Sequence, residues 1–202
     1  MEHRTNTIIS YVFHPLLMPT MTFLILFWLM PELIKPLTIV TLPFLFITTF
    51  LIPLLSISML KFSGSISNFK LESREERVMP FSFVSIFYGL TTYLFVFKIQ
   101  VNEIIALLLI ATTLLVTVLT IITLWFKVSI HAAGISGVVG FFLVFGLKYP
   151  DSMAFYPLLG LLICAGLVMS ARLQLNAHSP KEIWAGMCTG LGICFGTLYW
   201  FV

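Results

Sequence analysis

The chain has 202 residues, 59% of them hydrophobic and only 9% charged, with a formal net charge of +3, where soluble domains carry about 25% charge. This balance excludes a soluble fold and points to an integral membrane protein: an all-α, polytopic bundle of six or seven transmembrane helices. The small positive excess lies in short breaks between apolar runs, which excludes a nucleic-acid surface and favours phosphate or lipid headgroups as neighbours.

A spanning helix needs about 20 apolar residues, and seven such runs nearly exhaust the sequence. They lie at about 8–30, 37–60, 78–97, 104–126, 130–147, 153–169 and 183–202. Residues 1–202 therefore read as a single membrane domain. The opening MEHRTNTIISYVFHPLLMP lacks a small-residue cleavage site and carries His14, Pro15 and Pro19 in its apolar part, so it reads as a retained segment. Pro15 removes a backbone donor, so the first run is expected to kink, or to re-enter the membrane without crossing.

Breaks at 31–36, 98–103 and 148–151 hold one lysine and one acid each and read as simple turns. The alternate breaks are richer: KFSGSISNFKLESREERVMP at 61–80, KVSIHAAG at 127–134 and ARLQLNAHSPKEIWAG at 171–186. If every run crosses, these three fall on one face of the membrane. Cys164, Cys188 and Cys194 sit inside apolar runs with no CxxC spacing, and packing is their expected role. In the last run, Gly186 and Gly190, then Gly192 and Gly196, repeat the GxxxG spacing that allows close backbone approach. They mark a tightly packed helix and a candidate homodimer seam.

Each rich break has a plain reading and a chemical one. On a helix, KLESREER gathers Lys70, Arg74 and Arg77 on one face and Glu72, Glu75 and Glu76 opposite. That basic face suits a phosphate clamp, or merely a solvated loop helix beside lipid headgroups. In SIHAAG, Ser129 is expected to cap a helix whose first N–H groups can receive an anion near His131; the plain alternative is a membrane-edge histidine bonded to a carbonyl. SPKE has the capping-box pattern, with Pro180 at the first helical position, so a helix should begin after Ser179. Glu182 then either closes its own helix or reaches His178, fixing the imidazole tautomer and making the other nitrogen a better nucleophile. Arg172 ends the preceding helix and projects towards the same gap.

Together these residues resemble the type 2 phosphatidic acid phosphatase superfamily, whose motifs are K-x6-R-P, P-S-G-H and S-R-x5-H-x3-D. Lys70 and Arg77 have the first spacing, Ser129 and His131 match the second, and Arg172, His178 and Glu182 reproduce the third. The resemblance spans about 61–202, with 1–60 as additional N-terminal helices. Val78, Ile130, Ala171 and Glu182 stand where the family has Pro, Gly, Ser and Asp. The resemblance implies a metal-independent lipid phosphate phosphatase without a cofactor, in a bacterial-type inner membrane with its site on the periplasmic face. His178 would form a phosphohistidine, His131 would protonate the leaving oxygen and then activate water, and Glu182 would orient His178. Lys70, Arg77, Arg172 and the backbone near Ser129 would hold the phosphate, with Arg74 added from the helical wheel.

Three rival readings remain open. One is a lipid phosphotransferase of the same fold, and another is a transporter or pseudoenzyme that binds without turnover. The third takes His14, His131 and His178 as haem ligands on facing helices. Sidedness has its own conflict. Seven crossings would put Arg4, Lys61, Lys70, Arg74, Arg77, Lys127, Arg172 and Lys181 on the rich face against Lys35, Lys98 and Lys148 opposite, which favours the cytoplasm. The periplasmic expectation therefore supposes a first run that does not cross in the ordinary way.

Overall fold

A computed structural model describes residues 2–35, 41–69, 71, 73–150 and 153–202. These residues are predominantly helical, with no strand among them, and seven helical stretches are long and apolar enough to cross a membrane. All seven expected runs are present.

The first crossing is built from α1 (Glu2–Val12) and α2 (Met18–Leu29), joined through a short 3-10 turn at Pro15–Leu17. It kinks as expected, yet it traverses the bundle. Asn6 donates to the Gln174 side chain at one end (2.7 Å), and the Lys35 carbonyl that follows this crossing accepts from Asn102 at the other (2.7 Å). The kink is short: Pro15 interrupts the hydrogen-bond ladder for one turn only, and Pro19 lies in the first turn of α2, where its missing N–H costs little.

The second crossing comprises α3 (Thr41–Phe46), a π-helical turn at Ile47–Leu51 and α4 (Ile52–Phe62). Pro53 has no N–H for the Thr49 carbonyl, and the Tyr88 hydroxyl donates to that carbonyl instead (3.0 Å). The third is α5 (Glu75–Tyr93), prolonged by a π turn to Ile99. The helix expected from residue 70 begins only at Glu75: Leu71 adopts a left-handed φ of 49°, and the Ser73 hydroxyl accepts from the Glu76 N–H (3.3 Å), starting the helix there. Lys70 and Glu72 lie outside the described residues. Ile66 and Leu71 of this break turn inward against Phe81 and Ile130.

The remaining crossings are α6 (Glu103–Thr123), α7 (Ile130–Lys148), α8 (Phe155–Gln174) and α9 (Pro180–Phe201). Ser129 caps α7 and Ser179 caps α9 with Pro180 in its first turn, as the sequence implies. The apolar run of the sixth crossing ends near 169, and α8 continues past it to Gln174 with Arg172 in its last turn, as the sequence implies; Arg172 and Gln174 both find partners on α1. Helix α7, rich in Ala, Gly and Phe, is the buried centre and packs most extensively on α9.

Glycine sets that contact. A Cβ on Gly186 would strike the Ser129 carbonyl and one on Gly190 the Ala133 carbonyl, whereas Gly192 and Gly196 face open space. The close approach at Gly186 and Gly190 is thus made within the chain, and only the Gly192/Gly196 face stays open to a second copy.

Candidate functional site

The three rich breaks meet at one end of the bundle, around a cavity of about 960 Å³. Arg77, Lys127, His131, Arg172 and His178 line its rim; mid-helix residues Thr22, Leu115, Phe141 and Cys194 line its depth. A polar rim over an apolar shaft suits an amphiphile with an anionic head.

The turn from α8 to α9 delivers His178. Asn176 takes a left-handed φ of 49°, the Ala177 N–H donates to the Arg172 carbonyl (3.2 Å) and the Asn176 N–H to the Leu173 carbonyl (2.9 Å). This is a Schellman closure, and an asparagine tolerates its left-handed position well. The chain reverses within five residues, and His178 falls between the two helices. Its Nδ1 meets Glu182 Oε2 at 2.5 Å, and the His178 side chain is only 1% exposed. Because the carboxylate accepts, Nδ1 carries the proton and Nε2 keeps its lone pair. Burial pushes the His178 imidazole down to about 4; the Glu182 hydrogen bond opposes that shift, and the positive charges of Arg77 and Arg172 add to it. At neutral pH the ring is uncharged.

Ser129 ties the second break to the third. Its N–H donates to the Glu182 carbonyl (3.1 Å), its hydroxyl accepts from the Ala132 N–H (3.4 Å), and its own carbonyl accepts from the Ala133 N–H (3.0 Å). Ser129 is fully buried and outside the cavity lining, so here it is a cap and a clasp to α9. Ile130, at the position of the family's glycine, contributes to the cavity wall.

Arg77 is buried, with Nε donating to the Leu71 carbonyl (2.7 Å) and Nη1 to the Val128 carbonyl (3.1 Å). It pins the first break against the second while lining the cavity. Arg172 donates from Nη1 to the Ser10 hydroxyl (3.3 Å), and its Nε is buried with no hydrogen-bond partner. Such a donor is costly to leave dry and suits an incoming anion. Arg74, in contrast, points away from the cavity: it pairs with Glu75 (3.2 Å) and donates to the Trp125 carbonyl (3.0 Å) on the exposed side. His131, in the first turn of α7, lies within electrostatic reach of Arg172 and His178.

Two contributors stand outside the motifs of the resemblance, although the haem reading groups His14 with His131 and His178. Lys127 stands at the rim, and His14 places its ring edge-on to His131 with centroids 5.8 Å apart. A histidine beside a proline inside an apolar run is the signal that bears on His14, since intramembrane ionisable residues usually mark function. Among the described residues, no group of three His, Cys, Asp or Glu has the proximity to hold a metal ion. Comparisons of the chain with family models, with curated proteins and with solved structures give no match, so the resemblance rests on the residues themselves.

Proposed function

We propose that this membrane protein is a lipid phosphate phosphatase acting through a phosphohistidine on His178. The observation that carries the reading is the pair of buried His178 with partly buried Glu182 at 2.5 Å, on a cavity lined by two guanidinium groups. The proton on Nδ1 directs Nε2 at phosphorus, as a nucleophile oriented by a carboxylate requires. The P–N bond forms as the P–O bond to the lipid alcohol breaks, and His131, taking the proton of the monoprotonated phosphate on Nδ1, gives it to that oxygen. His131 then takes a proton from water, the hydroxide attacks phosphorus, the P–N bond breaks, and inorganic phosphate leaves with that proton, restoring His131 and His178. Arg77 and Arg172 balance the charge on the equatorial oxygens throughout. Lys70 has the spacing to join them. No metal or cofactor enters this scheme.

The apolar shaft below the rim supports a phosphate carried on a lipid, such as phosphatidate, phosphatidylglycerophosphate or a polyprenyl (pyro)phosphate. The test is phosphate release from such a panel by purified protein, compared with His178→Ala. Release should fall to background in the variant, with loss of acid-labile phosphate on the protein; undiminished release would refute the assignment. Appearance of phosphate on an added alcohol would mark the phosphotransferase reading, and binding without turnover the carrier.

For sidedness, a first run that crosses makes the seven-crossing count apply, with eight of the eleven Lys and Arg on the site's face. This favours the cytoplasmic side of an inner membrane over the periplasmic side that the resemblance implies. Cysteine labelling at Ser65 and at Lys148 discriminates: access to Ser65 only from the periplasm would restore the periplasmic reading.

A further inference from the structure

The first crossing lies outside every motif of the resemblance, yet α1 touches two of the proposed site residues through one amino acid. Ser10 accepts from Arg172 Nη1 with its hydroxyl (3.3 Å), and its carbonyl oxygen lies 3.2 Å from His131 Nε2. A carbonyl only accepts, so in this contact Nε2 must carry the proton. The lone pair of His131 is then on Nδ1, a buried atom with no hydrogen-bond partner on a ring that lines the cavity.

The availability of that carbonyl traces to Pro15. In an unbroken helix the His14 N–H would donate to Ser10 and the N–H of residue 15 to Tyr11. Proline has no such donor. The His14 N–H turns to the Tyr11 carbonyl instead (3.3 Å), α1 ends at Val12, and the Ser10 carbonyl leaves the helical ladder for His131. The Ser10 hydroxyl is fixed in turn, donating to the Asn6 carbonyl (3.0 Å).

We propose that Ser10 is a positioning residue of the site: its carbonyl, released by Pro15, holds His131 with the proton on Nε2 and presents Nδ1 for proton transfer, while its hydroxyl aims Arg172. Only the kinetic arm of the test rests on the phosphatase reading.

The direct measurement is the ¹⁵N spectrum of histidine-labelled protein in micelles, where only four imidazoles contribute and comparison with His131→Gln assigns the signal. Wild type should show His131 with Nε2 protonated and Nδ1 bare. Pro15→Ala restores the missing donor and should reclaim the Ser10 carbonyl for the helix, so the Nε2–H form should be lost. In the kinetic arm that variant should lose kcat on the order of 10²-fold, the scale of one misplaced acid–base group, with KM little changed. Ser10→Ala keeps the carbonyl and removes the hydroxyl, so the Nε2–H form should persist while KM rises, and Ser10→Thr should restore it. A wild-type ring protonated on Nδ1 would overturn the proposal even if Pro15→Ala failed to fold. So would a Pro15→Ala protein with unchanged tautomer. The expected tautomers in a protein that turns over no lipid phosphate would support this inference and sink the phosphatase reading instead.

Discussion

The two rims of the bundle hold their charges in different ways. At one, Lys35 pairs with Glu32 three residues away, with side chains 66% and 77% exposed. At the other, Arg77 comes from one break and Arg172, His178 and Glu182 from another; Arg77 and His178 are buried, and both arginines reach partners remote in sequence. An exposed pair contributes about 0–1 kcal/mol, whereas an ionic group withdrawn from water loses several kcal/mol of solvation. Charges gathered from distant stretches against that cost point to a use beyond stability. The poor rim only ends helices; the rich rim holds a constellation.

The largest expected effect sits on the rich rim. Glu182→Gln keeps the size and helix position of the side chain while removing the carboxylate that holds His178. Turnover of a lipid phosphate should fall by about 10²- to 10⁴-fold, the range for one mispositioned acid–base group, with little loss of helicity by circular dichroism. Lys35→Ala in the same assay should leave turnover unchanged, and equal losses in both would erase the distinction between the rims.

The same histidine carries a pH signature. His178 takes its proton near 4 in the fold but near the ordinary histidine value of 6.5 when unfolded. Between those values the unfolded chain binds the extra proton, so the contribution is complete above the higher value and is lost as pH falls towards the lower. The thermal midpoint in detergent should drop between about pH 6.5 and about pH 4, and by less in His178→Gln. Equal drops in both proteins would assign the acid sensitivity elsewhere.

A smaller effect separates the two glycine pairs of α9. Gly190→Ala forces a methyl against the Ala133 carbonyl and Gly186→Ala one against the Ser129 carbonyl, so α9 must move off α7. Each should cost about 1–3 kcal/mol, the scale of overpacking. Gly192→Ala, with open space around it, should be neutral or gain up to about 1 kcal/mol of helix propensity. Chemical unfolding of the three variants orders them, and a Gly192→Ala as damaging as Gly190→Ala would mean that the outward face is also packed, as by a second copy.

How far the sequence carried these features depends on whether the physics is local. The crossings were legible because apolar length is a property of a single run, and the starts of α7 and α9 because Ser129, Ser179 and Pro180 act within one turn. The break at 61–80 misled because a helical wheel on KLESREER assumes the helix it describes. Leu71 turns inward to Phe81, and only tertiary packing rewards its left-handed backbone. The convergence of His131, Arg172 and His178 on one cavity followed from the parity of the crossings. The Ser10 contact did not, because a backbone carbonyl has no sequence identity. Its only trace is Pro15, and a proline shows that a carbonyl goes free without showing what receives it.

The smallest prediction returns to the quiet rim. Lys35 and Glu32 form an i,i+3 pair, 2.8 Å apart, on a 3-10 turn, and neither lines the cavity. Removing the pair with Lys35→Ala should cost no more than about 1 kcal/mol, and less at high salt because the charges are screened by solvent. The Lys35 backbone matters more than its side chain: its carbonyl receives Asn102 Nδ2, joining the end of the first crossing to the start of α6. Asn102→Ala removes that link together with the cap on Ile105 (2.9 Å), and an exposed N-cap alone contributes about 1 kcal/mol. Asn102→Ala should therefore lower the unfolding midpoint more than Lys35→Ala does. Should the two be equal, the quiet rim would be held by its charges after all, and the contrast between the two ends would narrow to burial alone.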